Sequence, residues 1–68
     1  MSVPVTVNGD PQEIAADLKI TELLHSLDIT SGPVAVEVNG EIVPRSEHAN
    51  YQLKANDKIE IVQAIGGG

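Results

Sequence analysis

Val34-Ala35-Val36-Glu37-Val38-Asn39-Gly40-Glu41-Ile42-Val43 is the stretch on which the fold turns. Val34, Val36 and Val38 alternate with Ala35, Glu37 and Asn39, the period-two pattern of a half-buried strand. Asn39-Gly40 then supplies a hairpin turn. Both central residues of a type I′ turn need positive φ, which Gly adopts freely and Asn tolerates. Glu41-Ile42-Val43 is the returning strand. Pro44 has no N–H to give a ladder, so it ends that strand or places it on a sheet edge.

The same grammar appears upstream. Val3, Val5 and Val7 alternate with Pro4 and Thr6, Asn8-Gly9 repeats the turn signal, and Pro11 to Ala15 reads as a short return. Between the hairpins, Ile20, Leu23, Leu24 and Leu27 recur at i, i+3, i+4 and i+7, one face of a helix of roughly two turns. Its start is ambiguous. Asp17 is a good cap but leaves Leu18 and Lys19 in the first turn, and Thr21 would cap too late to include Ile20. Thr30, Ser31, Gly32 and Pro33 close the region with loop chemistry.

Downstream, Arg45 to Asn50 is polar and irregular, and Tyr51-Gln52-Leu53 is a short strand or an anchor. Ala55-Asn56-Asp57 is a turn, and Ile59 and Ile61 alternate with Lys58 and Glu60 in a last strand. The order is β-β-α-β-β-β in one α+β domain, with one short helix covering one face of a mixed four- or five-stranded sheet. The first and last strands can lie side by side at its centre, although sequence alone leaves the strand order open.

Composition narrows the chemistry. The chain has 68 residues, with neither Trp nor Phe. Its core draws on eight Val, seven Ile and five Leu, and the β-branched majority favours strands. A domain this small buries only about 60% of its unfolded surface. With no cysteine there is no disulfide, thiolate metal site or Cys nucleophile. A net charge of −6 argues against nucleic acid and anionic membranes, and suits either plain solubility or steering towards a basic partner. The start Met1-Ser2-Val3-Pro4 lacks signal-peptide character, and a cytoplasmic location is expected.

The sequence ends in Gly66-Gly67-Gly68. Glycines carry no side chain to pack and lose the most entropy on ordering, so a frayed end is one reading. The other is chemical. A tail without Cβ atoms threads a narrow channel and leaves its terminal carbonyl carbon open to attack from either side. A carboxylate is inert until activated, for instance as an acyl-adenylate. Nothing here supplies that activation: there is no G-x-x-x-x-G-K-[ST] loop, and the glycines precede no helix. The activating enzyme would be a separate protein.

These residues carry a likeness. The chain resembles the ThiS family, the sulfur carrier proteins of thiamin thiazole biosynthesis, over nearly its whole length. The likeness rests on the hairpin around Asn8-Gly9, on Thr21-Glu22-Leu23-Leu24, and on Val36 through Arg45. It continues in Asn56-Asp57-Lys58-Ile59-Glu60-Ile61-Val62 and in Ile65-Gly66-Gly67-Gly68. The resemblance implies a ubiquitin-like β-grasp domain over residues 1–65 and a flexible tail over 66–68. It implies a non-enzymatic carrier that binds no cofactor or metal itself. A ThiF-like enzyme would adenylate Gly68 with ATP and magnesium, a cysteine-desulfurase route would supply sulfur, and a ThiG-like thiazole synthase would take it from the thiocarboxylate. A molybdopterin-synthase small subunit and a ubiquitin-like protein modifier would use the same tail. The sequence departs from the family at Ala55-Asn56-Asp57, where a Gly-Asp turn is more usual, and at Lys19, where a capping Thr is usual. A plain β-grasp interaction module, indifferent to its tail, is the remaining alternative.

Alternation puts Val62 and Ala64 on the presumed solvent side, beside the tail, as a candidate docking patch with Ile65 at its edge. His25 and His48 read as surface histidines, and Glu37, Glu41, Glu47 and Asp57 as solvated charges. Ser26, Ser31 and Ser46 lack any nucleophile-elbow setting. Arg45, after Pro44, is a surface charge or a steering group for an acidic partner site.

Overall fold

The computed structural model describes residues 1–29 and 32–63. The expected tail and the docking positions Ala64 and Ile65 lie outside the described residues. Five strands form one sheet: β1 (Ser2–Val7), β2 (Asp10–Ala15), β3 (Val34–Val38), β4 (Glu41–Val43) and β5 (Lys58–Gln63). Their order is β2-β1-β5-β3-β4. Only β1 and β5 run parallel; the other neighbours are antiparallel.

Both Asn-Gly hairpins form as read. Asn8 and Gly9 have φ of 50° and 87°, and Asn39 and Gly40 have 55° and 86°, so both central residues of each turn are left-handed. Two of the four prolines sit at edge strands, and a third, Pro4, lies in the inner strand β1 ahead of its pairing with β5, which begins at Thr6. Pro11 lies in β2, and Pro44 follows β4 directly.

Helix α1 (Ile20–Ser26) packs Ile20, Leu23 and Leu24 on one face of the sheet, against Val5, Val7, Val36, Val38 and Ile59. Its N-cap is Lys19, not Asp17 or Thr21. Lysine cannot accept a hydrogen bond, and tertiary contacts replace the missing cap. The Ile20 N–H donates to the Tyr51 carbonyl at 3.1 Å and the Thr21 N–H to the His48 carbonyl at 3.2 Å. Glu22 Oε1 accepts from the Lys19 N–H at 2.8 Å, half of a capping box. At the other end Asp28 takes φ 65°, the Asp28 N–H donates to the His25 carbonyl, and the Ile29 N–H donates to the Leu24 carbonyl. That pair is a Schellman motif with Asp in the usual glycine position.

Tyr51-Gln52-Leu53 is an anchor held by one bridge, Lys19 with Gln52. Leu53 is fully buried, and its N–H donates to the Leu18 carbonyl at 2.9 Å. Two surface assignments are corrected. His48, after a 3-10 turn over Arg45–Glu47, is buried, with Nε2 3.0 Å from the Val43 carbonyl. Since a carbonyl only accepts, Nε2 carries the proton. Asp57 is likewise buried: Oδ1 accepts from Asn39 Nδ2 at 3.0 Å and Oδ2 from the Lys54 N–H at 2.8 Å. His48 is satisfied by a carbonyl five residues away, and Asp57 by an amide three residues away and a carboxamide eighteen away, in stretches whose polarity hides the burial.

Leu53 joins the long segment between β4 and β5 to the core, so its loss leaves a cavity there. Leu53→Ala is expected to cost about 2–4 kcal/mol in urea unfolding, the range for a buried leucine that cannot be fully compensated. A loss below about 1 kcal/mol would show that the loop is held by its hydrogen bonds instead.

Candidate functional site

The site is built on β5, the strand that leads into residues 64–68. Its parallel pairing with β1 covers only Thr6 with Lys58 and Val7 with Ile59. The Asn8 side chain extends it by one rung. The Ile61 N–H donates to Asn8 Oδ1 at 2.7 Å, and Asn8 Nδ2 donates to the Ile61 carbonyl at 3.3 Å. The hairpin residue that makes the turn therefore also imitates a strand backbone. On the other side β5 pairs with β3 from Val38 with Ile59 to Val34 with Gln63. The strand is thus fixed from both sides up to Ile61, and by β3 alone to its end.

The outward face of β5 carries Lys58, Glu60 and Val62. Val62 is 65% exposed, in keeping with its expected solvent side, and its cross-strand neighbour is Ala35. Ile42 on β4 is 67% exposed on the same face. Glu37 lies directly between Ile42 on β4 and Glu60 on β5. The open face therefore combines exposed aliphatic groups with two carboxylates in direct cross-strand register. Like charges so placed destabilise a sheet.

Sequence reasoning missed Ile42, Ala35 and the Glu37–Glu60 pair. The signal for Ile42 was present, because two adjacent aliphatic residues, Ile42 and Val43, cannot both face inward in a strand. The Glu pair needed the β3–β5 register, which joins segments more than twenty residues apart. Among the described residues no cluster of three or more His, Cys, Asp or Glu is placed to hold a metal. No helix among them is long and apolar enough to cross a membrane.

A mixed five-stranded sheet gripping one short helix, with its central strand running out towards a glycine-rich end, defines a small ubiquitin-like β-grasp protein. The comparisons with known proteins agree. A model of the ThiS family matches residues 5–68. The sulfur carrier protein ThiS of Escherichia coli (strain K12) is 33% identical over 64 residues, covering 94% of this chain and 97% of that protein. The crystal structure of the thiamine biosynthesis protein ThiS from Geobacter metallireducens superposes with a TM-score of 0.81 at 36% identity, covering 97% of this chain and 100% of that one. A thiazole synthase of Paramagnetospirillum magneticum is 42% identical over 64 residues, but the chain spans only 20% of its length. The chain belongs to the ThiS family.

The Asn8 clamp has a direct consequence. Asn8→Gly, which keeps the left-handed backbone of the turn and removes only the carboxamide, should leave the fold intact and speed amide exchange at Ile61 about fivefold or more, the scale of one net hydrogen bond. Unchanged exchange at Ile61 would mean that β3 alone holds the strand.

Proposed function

We propose that this chain is a sulfur carrier in thiamine biosynthesis, acting through the terminal carboxylate of Gly68. The observation that carries the reading is the family match, which runs through Ile65-Gly66-Gly67-Gly68 and not merely through the folded body. A ThiF-like enzyme adenylates the carboxylate: a carboxylate oxygen attacks the α-phosphorus of ATP, pyrophosphate leaves, and magnesium on that enzyme balances the phosphate charge. Sulfur released by the donor system at the sulfide level, as HS⁻, then attacks the acyl carbon, AMP leaves, and loss of the S–H proton gives the thiocarboxylate. A ThiG-like thiazole synthase takes that sulfur. The kinship with thiazole synthases that contain a domain of this kind supports this acceptor over a molybdopterin pathway or protein conjugation.

The folded body is a handle that two enzymes recognise. The outward face around Val62, Ile42 and the Glu37–Glu60 pair suits a partner with an apolar centre flanked by Lys or Arg. The carboxylate pair, a cost in the free domain, becomes favourable once cations meet it.

Incubation with the adenylating enzyme, ATP and a sulfur donor should replace one oxygen of the chain by sulfur in the intact mass, and deletion of Gly67 and Gly68 should abolish the change. Conjugation to other proteins would favour the modifier reading instead. Two further variants test the handle. Val62→Asp should weaken binding to the adenylating enzyme with little change in melting temperature; undiminished binding would remove Val62 from the interface. Glu60→Gln should have opposite effects on two readouts. It should stabilise the free domain by roughly 0.2–1 kcal/mol while slowing association with the partner, most clearly at low salt.

A further inference from the structure

On the opposite side of the sheet a groove of about 200 Å³ opens between α1, the start of β3 and the segment following Pro44. Thr21, Leu24 and His25 line it from α1, Val34 from β3, and Arg45 and His48 from the loop. Its ionisable lining is wholly basic: His25, Arg45 and His48. That is unusual in a chain with ten acidic residues against four Lys and Arg.

His48 lines this groove, with Nε2 held by the Val43 carbonyl at 3.0 Å. Among the described residues Nδ1 has no hydrogen-bond partner. Arg45 adds a planar guanidinium, the side chain best matched to a carboxylate.

The groove also lies where β5 ends. Val34, one of its walls, is the cross-strand partner of Gln63, the last residue of β5. A protein that takes up the residues following Gln63 must stand at this end of the sheet.

We propose that the groove is a docking site for a carboxylate side chain of the protein that takes up the tail. The inference rests on the carrier reading, which places such a protein there. Arg45 engages the carboxylate, and Thr21, His25 and His48 border it. The volume fits one side chain and not a folded element. This makes the domain two-sided for recognition: the open sheet face offers carboxylates to a basic partner, and the groove offers cations to an acidic one.

The test uses the full chain, labelled for amide NMR, titrated with an acetylated and amidated tri-glutamate peptide, with acetate, and with the matching tri-lysine peptide. The glutamate peptide is expected to give saturable shifts clustered at Thr21, His25, Arg45, His48 and Ala49. Arg45→Gln, an exposed position, should weaken its binding about tenfold, the scale of one charge-assisted hydrogen bond. Shifts elsewhere, shifts unaffected by Arg45→Gln, equal shifts with tri-lysine, or acetate binding as tightly as the peptide would each overturn the proposal, the last by reducing the groove to a small-anion site. Sulfur loading is read separately as mass at Gly68. Loading without these shifts sinks the groove alone, and shifts without loading sink the carrier reading.

Discussion

The arrangement depends on how β5 is held between two strands that come from distant parts of the chain. Its parallel pairing with β1 is short, and three polar side chains complete it. Asn8 extends the ladder to Ile61. Asn39 Oδ1 accepts from the Lys58 N–H at 2.9 Å while its Nδ2 donates to Asp57. Asp57 in turn holds the preceding turn through the Lys54 N–H, and its carbonyl accepts from the Thr6 N–H at 3.0 Å. Each Asn of an Asn-Gly turn thus has two tasks. Its backbone takes the left-handed conformation of the hairpin, and its carboxamide fixes the start or the middle of the central strand. In a domain too small for a deep core, such satisfied polar junctions specify register where apolar packing alone would permit slippage.

Much of the fold was legible because local chemistry and tertiary structure agree. The valine alternation of β1 and β3 and the two Asn-Gly turns required no knowledge of distant partners. The spacing of Ile20, Leu23 and Leu24 marked the helix for the same reason. What was hidden is non-local. The helix start could not be read because Lys19 caps nothing with its side chain; carbonyls of Tyr51 and His48 receive the first N–H groups instead. His48 and Asp57 sit in polar stretches, and polarity in sequence is a poor guide to burial when one carbonyl or one amide waits opposite. The strand order joins the chain's beginning to its end, a pairing that no window of sequence contains.

The candidate site divides along the same line. Gly68 and its neighbours were named from chemistry that belongs to the sequence, since a side-chain-free terminal acyl group is visible in one dimension. Val62 followed from period two. Its companions Ile42 and Ala35, and the facing carboxylates of Glu37 and Glu60, belong to a surface that exists only after β3, β4 and β5 are in register. The groove is more remote still, since its walls come from α1, β3 and the loop after β4.

A carrier must be recognised by more than one enzyme without remaining on any of them. A single apolar patch serving every partner would tie their affinities together. Strengthening one contact would strengthen the rest, and release would slow throughout. Here β5 separates two surfaces of opposite charge, one on the open sheet face and one on the helix side, both near the strand's end. Complementary charge raises the rate of encounter more than it lengthens the stay, and opposite signs let each partner be favoured or refused independently. The acidic excess of the whole chain then acts as a long-range guide towards basic partners. The small basic groove works only at short range, where an acidic side chain has already been brought to the end of the sheet.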